Sequence, residues 1–325
     1  THRVHVSPQA SVYVDFFTTD HSPPALRGGR LDGPPGKTDI RPPDPESLVP
    51  EAFPRWEYFR VPGEGGLAWP ARMLKPAGFD PNRRYPVMVY VYGGPGAQVV
   101  VDDWSPAYLL WHQLLAERGC IVFSLDNRGS GGRGAAWERT VHRKLGQLEL
   151  ADQLAGVRYL KSLPFVDPDR IGIWGWSYGG YMTCLAMCAE PPVFRAGIAV
   201  APLSDWRNYD TIYTERYLGL PSRNPDGYRE GSPVFRAGGL AGAFLLAHGT
   251  ADDNVHLQNA IQLNDALVKA GKRFQLMLYP GMEHGIRARE SRIHLFETML
   301  AFLEAHLLAP DPNGIHEVHQ GHEKD

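Results

Sequence analysis

From residue 56 onward the chain is punctuated by short apolar runs. WEYFRV (56–61) and LAWPARML (67–74) flank the turn PGEGG and predict an antiparallel pair. VMVYVYGG (87–94), CIVFSLD (120–126), IGIWGW (171–176), AGIAVAP (196–202), FLLAHG (244–249) and QLMLYP (275–280) follow. These later runs are nearly continuous rather than alternating, the pattern of strands covered on both faces in a parallel sheet. Helical periodicity separates them. Leu150, Leu154, Val157 and Leu160 share one face, and so do Ala260, Leu263, Leu267 and Ala270, with Gly271 as a stop signal. Phe296, Met299, Leu300, Leu303 and Leu307 repeat the pattern near the end. The expectation is an α/β fold with a mostly parallel, eight-stranded sheet: two antiparallel strands, then six alternating with helices through right-handed crossovers.

The flanks read differently. PQASVYVDFFT (8–18) predicts a strand that stands alone. Residues 21–54 are rich in Pro and Gly and predict a loop or linker crossing a surface. Residues 309–325 are polar and predict a frayed tail. Its His316, His319 and His322 miss the zinc-peptidase spacing HExxH because position 320 is Gln, so no metal site is expected there. The domain boundaries are therefore set at 1–54, 55–308 and 309–325.

Composition narrows the class. The 325 residues are 43% hydrophobic and 21% charged, which suits a packed core. A net charge of −3 gives no footprint for nucleic acid. No apolar run reaches the length of a bilayer span. The opening THRVHV has no initiator Met and no leader pattern, which reads as a trimmed start and leaves the compartment open. Cys120, Cys184 and Cys188 form no disulfide framework and are expected to be buried small hydrophobes.

The candidate chemistry centres on Gly175-Trp176-Ser177-Tyr178-Gly179, a G-x-S-x-G between a predicted strand and a predicted helix. A chain that turns sharply from strand to helix holds its apex residue in a strained conformation and crowds its neighbours. Glycines at 175 and 179 remove that crowding, and Gly180 extends the space. Ser177 is then presented at a helix N-terminus, where the Tyr178 N–H is a natural oxyanion donor. A serine needs a base, and the base an acid to orient it. Both are expected later in the chain, each after a strand. HGTADDNVH (248–256) offers Asp252 or Asp253, and spacing does not choose between them. YPGMEHGI (279–286) offers His284 as base, with Glu283 as a weaker candidate acid. His248 reads as a packed or hydrogen-bonded histidine and His256 as a surface residue at a helix start. The loop VYGGPG (91–96) offers a second oxyanion donor, either the Tyr92 hydroxyl or a backbone N–H.

GWSYGGY, HGTADDNVH and YDTIYTERYLGLP (209–221) together resemble the prolyl oligopeptidase family of serine peptidases, most of all its dipeptidyl-peptidase IV branch. The resemblance covers roughly residues 55–308 and implies an α/β-hydrolase fold with helices on both faces. It implies Asp252 as the acid, with Ser177 as nucleophile and His284 as base, and the Tyr92 hydroxyl as second oxyanion donor beside the Tyr178 amide. It further implies a proline pocket lined by Trp206, Tyr209, Tyr213 and Val255, with Leu203 near, and Asn254 as ligand of a substrate carbonyl. Aromatic walls suit a proline ring, which is apolar and has no N–H to satisfy. No metal or organic cofactor is implied. Family members carry an N-terminal β-propeller over the active site, and in this branch it supplies the acidic residues that hold the substrate's amino terminus. Residues 1–54 then read as a propeller remnant plus a connecting linker. The partners implied are short peptides, the propeller, and a second copy of the chain.

The leading expectation is thus a serine peptidase that cleaves after proline or alanine near the amino terminus of short peptides. Competing readings are an acylaminoacyl- or tripeptidyl-releasing peptidase, a carboxylesterase using the same elbow, and an inactive scaffold. The filled triad positions argue against the last.

Overall fold

The apolar runs form the strands they predict. The computed structural model describes residues 1–34, 36–42, 53–104 and 106–308. Its main sheet contains β5 (Trp56–Pro62), β6 (Ala68–Leu74), β7 (Tyr85–Tyr90), β8 (Ile121–Leu125), β9 (Val166–Trp176), β10 (Ala196–Val200), β11 (Ala243–Gly249) and β12 (Gln275–Tyr279). The order is β12-β11-β10-β9-β7-β8-β6-β5. Strands β7 to β12 pair in parallel, whereas β6 is antiparallel to both β5 and β8. The helices are α1 (Pro106–Glu117), α2 (Ala135–Glu138), α3 (Gln147–Ser162), α4 (Tyr178–Met187), α5 (Thr211–Leu218), α6 (Pro225–Glu230), α7 (Gln258–Lys269) and α8 (Arg289–Leu303).

The unbroken hydrophobicity of the central strands follows from their position between two cores. Val87, Val89, Ile171, Ile173 and Phe123 face one apolar cluster. Met88, Tyr90, Trp174, Trp176 and Val122 face the other. Successive side chains of a strand point to opposite faces, so both faces must be apolar when both are covered. The helix faces follow suit. In α3, Leu150, Val157 and Leu160 are buried and Leu154 is half-buried. In α7, Ala260, Leu263 and Leu267 are buried, whereas Ala270, expected on the same face, caps the helix end and is exposed; Gly271 beyond it adopts the left-handed φ of 67°. Cys120, Cys184 and Cys188 are buried free thiols whose pKa burial raises.

The N-terminal flank corrects the sequence reading. The expected lone strand is β2 (Val12–Thr19), and it sits between β1 (His2–Val6) and β3 (Ser22–Arg30), with β4 (Thr38–Arg41) beyond. Much of the stretch 21–42 is therefore strand rather than linker. Its prolines mislead because of where they fall. Pro23 and Pro24 lie at the register shift between β2 and β3, ahead of the first β4 partner at Leu26, so neither removes a ladder N–H. This four-stranded antiparallel sheet is tied to the main domain. The Asp20 N–H donates to Asp102 at 2.7 Å, and the Tyr58 hydroxyl donates to Asp20 at 2.8 Å. Residues 43–52 of the expected linker and the whole tail 309–325, with its histidines, lie outside the described residues.

Candidate active site

The chain turns from β9 into α4 at Ser177, whose backbone takes φ 59°, ψ −119°. For a non-glycine residue this is a strained conformation of the kind concentrated at functional sites. The glycines beside it are required by close approach. A Cβ on Gly179 would lie 2.2 Å from the Val91 carbonyl oxygen, and one on Gly175 would lie 2.4 Å from the Gly179 backbone. The Ser177 N–H donates to the Val200 carbonyl at 2.9 Å, and the Ser177 carbonyl accepts from Tyr181 at 2.9 Å. Strand β10 and helix α4 thus clamp the apex. The serine side chain remains partly exposed, facing a cleft of about 730 Å³ that His284 also lines.

His284 hangs from the loop after β12, and Asp252 from the loop after β11. The structure brings them together: His284 Nδ1 lies 2.8 Å from Asp252 Oδ2. Asp252 is buried, whereas Asp253 beside it is exposed, and of the two it is Asp252 that meets the imidazole. Burial alone would raise the Asp252 pKa. Hydrogen bonds from His248 and His284, and the charge those imidazoles can carry, outweigh it and hold the carboxyl well below the usual range. Oδ1 accepts two further bonds, from the Asn254 and Val255 N–H groups at 3.0 and 2.8 Å. An ionised carboxylate only accepts, so Nδ1 of His284 carries the proton and Nε2 is left bare to act as a base. Glu283 lines the cleft but makes no hydrogen bond to the imidazole among the described residues.

Three features hold this arrangement: His248, read from the sequence as packed or hydrogen-bonded, and two contacts that escaped that reading. His248 is fully buried. Its Nε2–H donates to the Val255 carbonyl at 2.7 Å and lies 3.3 Å from Asp252 Oδ2, so it braces the acid from behind. The Trp176 indole N–H donates to the His284 carbonyl at 2.9 Å. The loop is then pinned by Ile286, buried in the core at φ 44°, a costly conformation for a β-branched residue. His256 is exposed, as expected.

Tyr92 and Tyr178 flank the serine with ring centroids 6.0 Å apart. Burial raises the Tyr92 pKa, keeping its hydroxyl protonated and able to donate. The Tyr178 ring is buried, and its hydroxyl donates at 3.0 Å to Glu149 in the first turn of α3. Glu149 is itself fully buried, and burial pushes its pKa up to about 7. A first-turn acid is common on an exposed helix face, so the sequence carried no signal that this one points inward.

The expected proline pocket is a contiguous aromatic cluster. Trp206 stacks on Tyr213 at 6.2 Å and 9°, and Tyr209 meets Tyr213 edge-on at 5.4 Å. Leu203, Trp206 and Val255 are buried in one core cluster, and Tyr209 and Tyr213 are half-buried and packed against it. Asn254 is exposed. Its Oδ1 accepts from the Tyr209 hydroxyl at 2.8 Å.

Residues 107–309 match the prolyl oligopeptidase family. The chain belongs to that family. Its fold is accordingly an α/β-hydrolase. Among relatives, it is 41% identical to prolyl endopeptidase FAP of Mus musculus over 244 residues, which is 74% of this chain and 32% of the relative. It is 44% identical to dipeptidyl peptidase 4 of Sus scrofa over 237 residues, 72% of this chain and 30% of the relative. Dipeptidyl peptidase 4 of Porphyromonas gingivalis superposes over 94% of this chain and 44% of its own, with a TM-score of 0.88 and 36% identity. The chain spans about a third of the length of the curated relatives it matches.

Proposed function

We propose that the chain is the catalytic part of a serine peptidase that cleaves short peptides after proline or alanine near their amino terminus. The observation that carries this reading is a partly exposed serine on a strained elbow, in one cleft with an imidazole whose far nitrogen is bound to a buried carboxylate. In this reading Ser177 Oγ attacks the scissile carbonyl while its proton passes to His284 Nε2. Negative charge develops on the carbonyl oxygen and is met by the Tyr178 N–H and the Tyr92 hydroxyl. The tetrahedral adduct collapses, the C–N bond breaks, and the imidazolium gives its proton to the leaving amine. Water then adds to the acyl-enzyme by the same steps. Asp252 holds the imidazole tautomer throughout. Trp206, Tyr209, Tyr213, Val255 and Leu203 receive the proline ring, and Asn254 donates to the preceding carbonyl.

The sheet β1–β4 has the strand number of one propeller blade, which supports reading residues 1–54 as part of such a domain. Release of dipeptides, as the names of two relatives state for those proteins, and pairing with a second copy belong to the proposal. Ser177→Ala is expected to abolish both hydrolysis of a Gly-Pro chromogenic amide and labelling by a fluorophosphonate. Persistent labelling of that variant would remove Ser177 from the mechanism. Cleavage of acyl esters without cleavage of Pro-amides would convert the reading to an esterase.

A further inference from the structure

His284 must hand its proton to the leaving nitrogen, so the leaving part of the peptide lies on the His284 side of the cleft, away from the aromatic cluster around Trp206. The walls there include Trp176, Tyr108, Arg287 and Arg292. Both arginines converge on Gly285, the residue after the base. Arg292 Nη1 donates to the Gly285 carbonyl at 2.7 Å. Its guanidinium carbon stands 5.3 Å from the Trp176 ring centroid and 5.4 Å from that of Phe296. Arg287 folds back over the same glycine: its Nε would lie 2.8 Å from a Cβ placed on Gly285.

Among the described residues, no carboxylate lies within 4.0 Å of Arg287 or Arg292, as for most of the chain's arginines, and what sets these two apart is their place in the cleft. Asp253 and Glu283 line the same cavity without closing an ion pair on either. Arg292 uses one of its five N–H donors on Gly285 and is half-buried between two aromatic rings, so much of its side-chain freedom is already lost. A guanidinium held in this way, with donors to spare, is a ready partner for a carboxylate.

We propose that Arg287 and Arg292 form a carboxylate-binding subsite for the leaving group. It rests on the peptidase reading above. The favoured substrates carry a carboxylate just beyond the scissile bond, either the free C-terminus of a tripeptide or an acidic first leaving residue. Two pairs of peptides separate these sources: Gly-Pro-Gly against its C-terminal amide, and Gly-Pro-Glu-amide against Gly-Pro-Gln-amide. In at least one pair the carboxylate member is expected to have a kcat/KM about tenfold higher, the scale of one charge-assisted bond at a partly exposed site. In Arg292→Ala and Arg287→Ala that ratio is expected to fall toward one, and Arg292→Lys is expected to retain part of it. A general loosening of the His284 loop would lower both members of a pair equally and leave the ratio unchanged, and that result overturns the proposal. So do ratios near one in the unmutated protein. Should the protein cleave no Gly-Pro amide at all, the peptidase reading fails by itself. The subsite is then judged by calorimetry on Ser177→Ala with Gly-Pro-Gly and its amide, where equal affinities overturn it.

Discussion

Replacing Glu149 by Gln is expected to alter how stability depends on pH. The Glu149 carboxyl is fully buried, with the Tyr178 hydroxyl at 3.0 Å from Oε1 and no partner for Oε2 among the described residues. Burial drives its pKa from the ordinary 4.5 to about 7; backbone N–H groups at the start of α3 and the Tyr178 hydroxyl offset only part of the rise. Below pH 4.5 the group is protonated whether the chain is folded or not, and it contributes no pH dependence. Between 4.5 and about 7 the unfolded chain has released a proton that the folded protein keeps, so stability falls as pH rises. Above 7 the full cost of ionising the buried group is felt. About two and a half decades at 1.36 kcal/mol each make that cost ~3 kcal/mol. Urea unfolding of wild type and Glu149→Gln, run from pH 5 to 8, isolates it, because every other titrating group is common to both proteins. The wild type is expected to lose ~2 kcal/mol or more relative to the variant across that range. A difference that stays flat with pH would refute the reasoning, and so would one that grows in the wild type's favour.

Two further substitutions probe the chemistry. Asp252→Asn is expected to lower kcat by on the order of 10⁴-fold without unfolding the protein, because an amide favours the wrong tautomer of His284. Since the wild-type carboxyl is held well below the usual range, its stabilising effect is present at neutral pH and is lost as pH falls through the acid range; the variant should lack that acid loss in urea titrations. Tyr92→Phe is expected to lower kcat by roughly 10²–10³-fold with little change in KM, the signature of a donor that acts on the developing oxyanion. An equal effect on KM alone would assign Tyr92 to substrate binding.

Much of the arrangement was legible before any coordinates. Strands covered on both faces announce themselves as unbroken apolar runs, and the crowding at the elbow leaves only glycine at 175 and 179. The chain order of Ser177, the aspartate pair and His284 followed from where strands end. What stayed hidden depends on three-dimensional neighbours. Asp252 and Asp253 are equivalent on paper, and only the fold buries one. Glu149 and Arg292 sit in or near helix starts among other charged residues, where a solvated face is the ordinary outcome. Pro23 and Pro24 argued for a loop, yet their missing N–H groups fall where no partner strand needs them.

Strand β12 is an outer strand of the main sheet, hydrogen-bonded on one side only among the described residues, and its first residues are exposed. Ser177, the proposed nucleophile, grows from the well-covered interior of the sheet, but His284, the proposed base, grows from this margin. Fraying at a sheet edge costs less than melting the centre. On warming, the edge strand should therefore loosen first, and the buried Ile286 with the Trp176 and Arg292 bonds is then what keeps His284 beside Ser177. In the peptidase reading, catalytic competence would be set by these few loop anchors rather than by the sheet beneath them.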